Sequence, residues 1–186
     1  EEMRNAFLAA VLGIDLGEIV ESRILPTHLR QKDKDDKLGI LDVRVLLNNK
    51  EQIDIEIQVT SSEYWVERTL FYLGKMFVDQ LKPGEDYHKL EKCIHLGILN
   101  FTLFDDEEYY SRFHFWSDQG RKMYSDKFEI HTLELPKLAK HEYPETELLK
   151  WLQFINAETK EEFEMAAEKS EYIKKAYEDL NRISAD

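Results

Sequence analysis

The chain has almost no cysteine. Cys93 stands alone among 186 residues. That excludes an intramolecular disulfide and any zinc ribbon or knuckle, and it fits a reducing, cytoplasmic setting. Glycine and proline are scarce too, at seven and four, so long flexible linkers are not expected. No apolar run reaches the roughly 20 residues needed to cross a bilayer, and no signal peptide is visible. The six histidines show no HExxH spacing, no serine sits in a Gly-x-Ser-x-Gly elbow, and there is no glycine-rich phosphate loop. Positive charge is short as well: 25 Lys and Arg face 38 Asp and Glu, a formal net charge of -13. Nucleic-acid binders ordinarily carry a basic face. Strong, sequence-independent DNA affinity is therefore not expected, and any DNA chemistry needs a local basic patch or a divalent cation to offset the global charge.

What is present is enough for a folded core. The chain is 42% apolar and 12% aromatic, well away from a disordered composition. Residues 3 to 12 read as a helix closed by Gly13. Ile19 to Thr27 reads as a strand, followed by a polar loop from His28 to Lys37. Strands are expected at about 38 to 47 and 51 to 60, joined by a turn at Asn48-Asn49-Lys50. Thr60-Ser61-Ser62-Glu63 has the capping-box pattern and predicts a helix of about 20 residues. Its buried stripe is expected to be Val66, Leu70, Leu73, Phe77 and Leu81. Ile94 to Phe104 predicts a central strand, and Tyr110 to Trp116 and Phe128 to Leu135 predict two more. From Pro144 the pattern is helical, ending in a polar helix at about 168 to 183. The order α-β-β-β-α-β, then two strands and a helical tail, describes an α/β sandwich rather than a βαβ repeat.

The hairpin carries the sharpest chemical signal. Leu41, Val43, Val45 and Leu47 alternate along its first strand, and Ile53, Ile55, Ile57 and Val59 along its second. Burying both apolar sets together requires odd residues to pair with odd ones. A three-residue loop achieves this by pairing 47 with 51, 45 with 53 and 43 with 55. The same register sets Asp42 opposite Glu56, and Arg44 opposite Asp54 as an ordinary ion pair. Opposed side chains have Cβ atoms roughly 5 Å apart. Two carboxylates so placed repel unless a cation lies between them, and hard oxygen ligands suit Mg²⁺ or Mn²⁺. Gln58 shares their face and can order a water or a phosphate. A solvated hairpin face explains the same residues without a metal.

Taken together, Leu41-Asp42-Val43, Ile55-Glu56-Ile57-Gln58, the helix bearing Glu67-Arg68 and Tyr72, then Gln80, Gly84, Tyr87, the strand Ile94 to Phe101 and Leu149-Lys150-Trp151-Leu152 resemble the PD-(D/E)XK nuclease-like transposase family, the recombination-promoting nucleases. The resemblance runs from about residue 6 onward. It implies a restriction-endonuclease-like α-β-β-β-α-β core, with metal ligands Asp42 and Glu56 and with Gln58 in the place of the signature lysine. It further implies Mg²⁺-dependent hydrolysis of DNA phosphodiesters linked to recombination or mobile elements. Arg68 and Tyr72, one turn apart, are placed to contact phosphate or brace the site. Gln58 supplies no positive charge, and Lys75, on the same helix face as Arg68, is the candidate to provide it. The family's opening helix, with an acidic residue and a Phe-Lys pair, has no counterpart here, and the opening Glu1-Glu2-Met3 fits a piece of something longer. A nuclease-like domain over 1–136 and a helical extension over 137–186 are expected. The alternative function is a catalytically inactive nuclease-fold module that binds protein or DNA and forms a homo-oligomer.

The remaining residues of chemical interest have structural readings. His95, His114 and His131 fall in strands and read as hydrogen-bonded residues of the framework, and Cys93 as a small buried one. Trp65, Trp116 and Trp151 read as packing residues, with base stacking near the site a lesser role for Trp65. Arg30, Lys32, Lys34 and Lys37 could touch a DNA backbone, but Asp33, Asp35 and Asp36 are interleaved, which favours a solvated loop.

Overall fold

A computed structural model describes residues 1–29 and 41–184; the lysine- and aspartate-bearing loop singled out above lies outside them from residue 30 on. The chain divides into two compact units, Glu21–Lys137 and a second made of Glu1–Val20 with Leu138–Asp186.

The first unit holds the sheet. Its strands are β1 (Ser22–Leu25), β2 (Val43–Leu47), β3 (Glu51–Gln58), β4 (Cys93–Leu99), β5 (Tyr110–Trp116) and β6 (Met123–Glu134), with helix α2 (Trp65–Val78) between β3 and β4. The strand order is β1-β2-β3-β4-β6-β5. β1, β2 and β3 pair antiparallel, β4 lies parallel to both β3 and β6, and β5 returns antiparallel to β6. β4 is buried along its whole length, as expected for a central parallel strand.

The β2–β3 register agrees with that expected from the apolar alternation: Val43 faces Ile55, Val45 faces Ile53 and Leu47 faces Glu51. The turn achieves this with Asn48 and Asn49 at positive φ, 51° and 57°. Asparagine tolerates that left-handed region because its short polar side chain bonds locally. The apolar face is only partly covered. Val45, Leu47 and Ile53 are buried, whereas Val43 and Ile57 are exposed.

α2 differs from expectation in start and rotation. It begins at Trp65, and its N-cap position, Tyr64, provides no side-chain cap, so the Thr60-Glu63 pattern does not open it. The helix buries Trp65, Thr69, Leu73 and Met76, while Val66 and Leu70 are about half exposed. Leu73 is buried as expected, while the rest of the stripe is displaced by one residue, to Trp65, Thr69 and Met76, with Trp65 taking the space beneath the helix. A Cβ built on Gly97 would lie 2.9 Å from Trp65 Cζ2, so the indole rests directly on the β4 backbone. Leu73 and Met76 pack with Leu29, Leu41 and Cys93.

The second unit is helical. It contains α1 (Glu2–Leu12), α3 (Glu147–Ile155), α4 (Lys160–Ala167) and α5 (Glu171–Ser184). Gly13 closes α1 in the left-handed conformation, and Thr146 and Thr159 cap α3 and α4 through their side chains. Ala6, Trp151, Ala166 and Ile173 form its core. Among the described residues no helix is long and apolar enough to cross a membrane.

Candidate metal centre

β3 presents alternate side chains to the α2 face of the sheet. On that face Asp54, Glu56 and Gln58 follow one another, and β4 contributes His95 beside them. Glu56 is only 3% exposed. Its Oε1 lies 2.5 Å from Arg68 Nη2 of α2. Burial is the largest influence on this carboxyl and pushes its pKa up; Arg68 and His95 oppose the rise, and Asp54 and Asp42 add to it. The group is thus a buried acid that holds its charge reluctantly, with one partial counter-charge.

Asp42 stands just ahead of β2. Its Oδ2 accepts the Ile57 N–H at 3.4 Å, which fixes it beside the Glu56–Ile57 peptide. Gln58 turns its amide to the Thr60 carbonyl at 2.9 Å. Arg68 stacks over the Tyr72 ring at 5.5 Å, which steadies the guanidinium that meets Glu56. Lys75 points elsewhere, its Nζ 5.9 Å from the Phe71 ring centroid. The structure therefore gathers Asp42, Glu56, Arg68 and Tyr72 and leaves Gln58 and Lys75 engaged with neighbours of their own.

Two further residues join the site. Arg44 and Asp54 are opposed in register, yet the expected ion pair is not formed. Arg44 donates instead to Gln52 Oε1, from Nη2 at 2.5 Å and Nε at 3.2 Å. Asp54 Oδ2 lies 2.8 Å from His95 Nδ1, both residues fully buried. Asp54, Glu56 and His95 each offer a ligand atom, and the three atoms lie within 4.8 Å of one another. Among the described residues Asp54 Oδ1 and His95 Nε2 have no hydrogen-bond partner.

Buried polar atoms left unpaired are costly. Two carboxylates and an imidazole with free lone pairs form a donor set that a divalent cation satisfies. An imidazole whose other nitrogen bonds a carboxylate is the arrangement that orients a metal-ligating histidine. The residues present fit such a cation. The contribution of His95 had no sequence signal, because it reaches Asp54 from a strand 41 positions later through a parallel pairing.

Neither the curated proteins nor the solved structures include a match to the chain. A family described as PD-(D/E)XK nuclease family transposase matches residues 1–186, the entire chain. The α-β-β-β-α-β order and the six-stranded sheet with its flanking helices are consistent with a restriction-endonuclease-like fold, and the chain belongs to the PD-(D/E)XK nuclease family of transposases.

Proposed function

We propose that this chain is a metal-dependent deoxyribonuclease that hydrolyses DNA phosphodiesters in recombination or mobile-element transactions, with Asp42 and Glu56 as ligands to Mg²⁺ or Mn²⁺. The observation that carries the reading is the buried Glu56 carboxyl, with Asp42, Asp54 and His95 around it and Arg68 as its adjoining cation. A nitrogen donor beside the carboxylates favours Mn²⁺ over Mg²⁺. Asp42 and Glu56 would hold the cation, whose chemistry there would be polarisation of the scissile phosphate and activation of a water.

The chain's own groups do the rest. Asp42 and Glu56 are the anionic anchor, and Asp54 holds the His95 ring in one orientation. Arg68, over the Tyr72 ring, is the positive charge beside Glu56 and would meet a phosphate oxygen brought to the site. Gln58 neither supplies charge nor accepts a proton at neutral pH; its role is to orient water or phosphate by hydrogen bonding. Cys93, single and fully buried, with its thiol pushed up to about 12 by burial, is consistent with a cytoplasmic setting.

The test is nicking of supercoiled plasmid in Mg²⁺ and in Mn²⁺ by the parent and by Glu56→Ala. Cleavage by the parent, lost by at least about a hundredfold in the variant, is the expected result. Equal cleavage by both sinks the assignment.

A second reading rests on the same ion pair. Arg68 already neutralises Glu56 and Gln58 is tied to Thr60, as suits a nuclease fold kept as a binding or assembly module. It requires that no divalent metal produce cleavage and that the purified chain self-associate or capture a partner.

A further inference from the structure

Glu56 has an outer and an inner neighbourhood. Asp42 stands on the outer side, exposed and ahead of β2. Asp54 and His95 lie on the inner side, and with Glu56 they are each no more than 3% exposed. The ligand atoms within 4.8 Å of one another belong to these three buried residues, and Asp42 does not join them.

Three observations on the inner side point to a cation. The first is charge. With both carboxyls ionised, Asp54 and Glu56 bring two buried negative charges, and the guanidinium in contact is that of Arg68, on Glu56. Arg44, across from Asp54, donates to Gln52 instead. A buried negative charge without its partner is costly, and a dication removes the deficit. The second is free valence. Asp54 Oδ1 and His95 Nε2 have no hydrogen-bond partner among the described residues. Asp54 Oδ2 accepts from His95 Nδ1 at 2.8 Å, so the neutral ring carries its proton on Nδ1 and its lone pair on Nε2. The third is direction. A Cβ built on Gly97 would lie 3.5 Å from His95 Nε2, and Gly97 is the β4 partner of Glu56. The free nitrogen therefore reaches over the row that carries Glu56.

We infer that Asp54, Glu56 and His95 form a second, inner cation site that takes one transition-metal dication of the Zn²⁺ or Co²⁺ kind in preference to Mg²⁺, with Glu56 shared between it and the Asp42 pair. The inner site stands without the nuclease reading; only the sharing of Glu56 rests on it. Mg²⁺ demands an octahedron of oxygens and keeps several waters, which a buried cluster with a nitrogen donor does not suit. Zn²⁺ and Co²⁺ accept imidazole and carboxylate together, in sites with three protein ligands and one open position. The cation ties β3 to β4 beneath α2, so its binding energy also stabilises the sheet unit.

The experiment titrates Co²⁺ into the full chain, stripped with EDTA and then held in a large excess of Mg²⁺. One equivalent should bind with the strong visible absorption of a four- or five-coordinate ion, and Zn²⁺ should displace it. Zn²⁺ should also raise the melting temperature of the parent where Mg²⁺ does not. His95→Gln should abolish the absorption. Asp54→Asn, which keeps the shape and can still accept from His95, should weaken binding about tenfold or more. Asp42→Ala should leave the titration unchanged. Uptake with only the pale spectrum of hydrated Co²⁺, displacement by Mg²⁺, or equal uptake by His95→Gln overturns the proposal, and the three residues are then a hydrogen-bonded framework. Loss of uptake in Asp42→Ala overturns it too, because inner and outer residues then make a single site. No DNA enters this measurement, so its failure and the failure of plasmid nicking are separate results.

Discussion

Glu56 and Glu129 are both buried carboxylates, and their surroundings treat them in opposite ways. Burial pushes Glu56 up. Burial also acts to raise Glu129, but the His131 hydrogen bond and the charges of His131, Arg112 and Lys92 together outweigh it and hold the carboxyl at about 2. The contacts are close: His131 Nε2 at 2.6 Å, Arg112 Nη2 at 2.7 Å, His114 Nε2 at 3.1 Å and Lys92 Nζ at 3.3 Å. Burial in turn depresses His131, against the pull of Glu129. A carboxyl held below its ordinary value stabilises the fold above that value and loses the contribution as pH falls through its folded pKa. A depressed histidine acts in the same direction, starting below its ordinary 6.5. Glu129 and His131 should therefore make the parent less stable as pH falls from about 6.5 toward 2, with the raised Glu56 carboxyl acting in the opposite direction. Glu129→Gln leaves Arg112 and Lys92 without their buried carboxylate, so it should cost on the order of 1–3 kcal/mol near neutrality, with solvent screening of the partly exposed Arg112 allowed for, and flatten the lower part of that decline. Urea unfolding at a series of pH values measures both. An unchanged pH profile in the variant would mean that the network carries no such energy.

At the scale of elements, how much was legible depended on how far apart the determining residues lie. The β2–β3 hairpin was readable to the register, because alternation has a period of two and a slip of one residue would turn Val45, Leu47 and Ile53 out of the core. The expected opposition of Asp42 and Glu56 falls one residue beyond the paired stretch, which begins with Val43 and Ile55. α2 was readable as a helix but not in its rotation. Its stripe is set by Trp65 lying over Gly97, a contact between segments that no local pattern encodes. Asp54 was assigned to Arg44, its nearest cross-strand charge, and the structure gives it instead to His95, since strand order decides which neighbour arrives on the other side. The Gly97 contact is testable. Gly97→Ala places a methyl where 2.9 Å separates it from the indole, and should cost about 1–3 kcal/mol by overpacking. Trp65→Phe on the same background should recover part of it. If Gly97→Ala melts with the parent, the indole does not rest there.

Over the whole molecule, a formal charge of -13 sets the terms on which DNA is met. A basic protein loses DNA affinity as salt rises, through counterion release. Here the long-range interaction is repulsive, and salt screens it within about 10 Å at 0.1 M. In EDTA, modest additions of KCl should strengthen the binding of a short duplex, or leave it level, when followed by fluorescence anisotropy. A steep loss of affinity with KCl would place a dominant basic surface on the chain, and residues 30–37 would be the first place to alter.

The division into two units has a consequence for synthesis. The sheet unit is one continuous stretch, whereas the helical unit joins the first twenty residues to the last forty-nine. α1 leaves the ribosome well before its packing partners α3 and α5. During elongation the carboxylate-bearing sheet can complete itself, while Ala6, Leu8 and Val11, buried in the finished chain, wait without their final cover. Within this unit the nascent chain is thus in greatest need of chaperone protection at α1, until Trp151 and Ile173 emerge to close the core around Ala6.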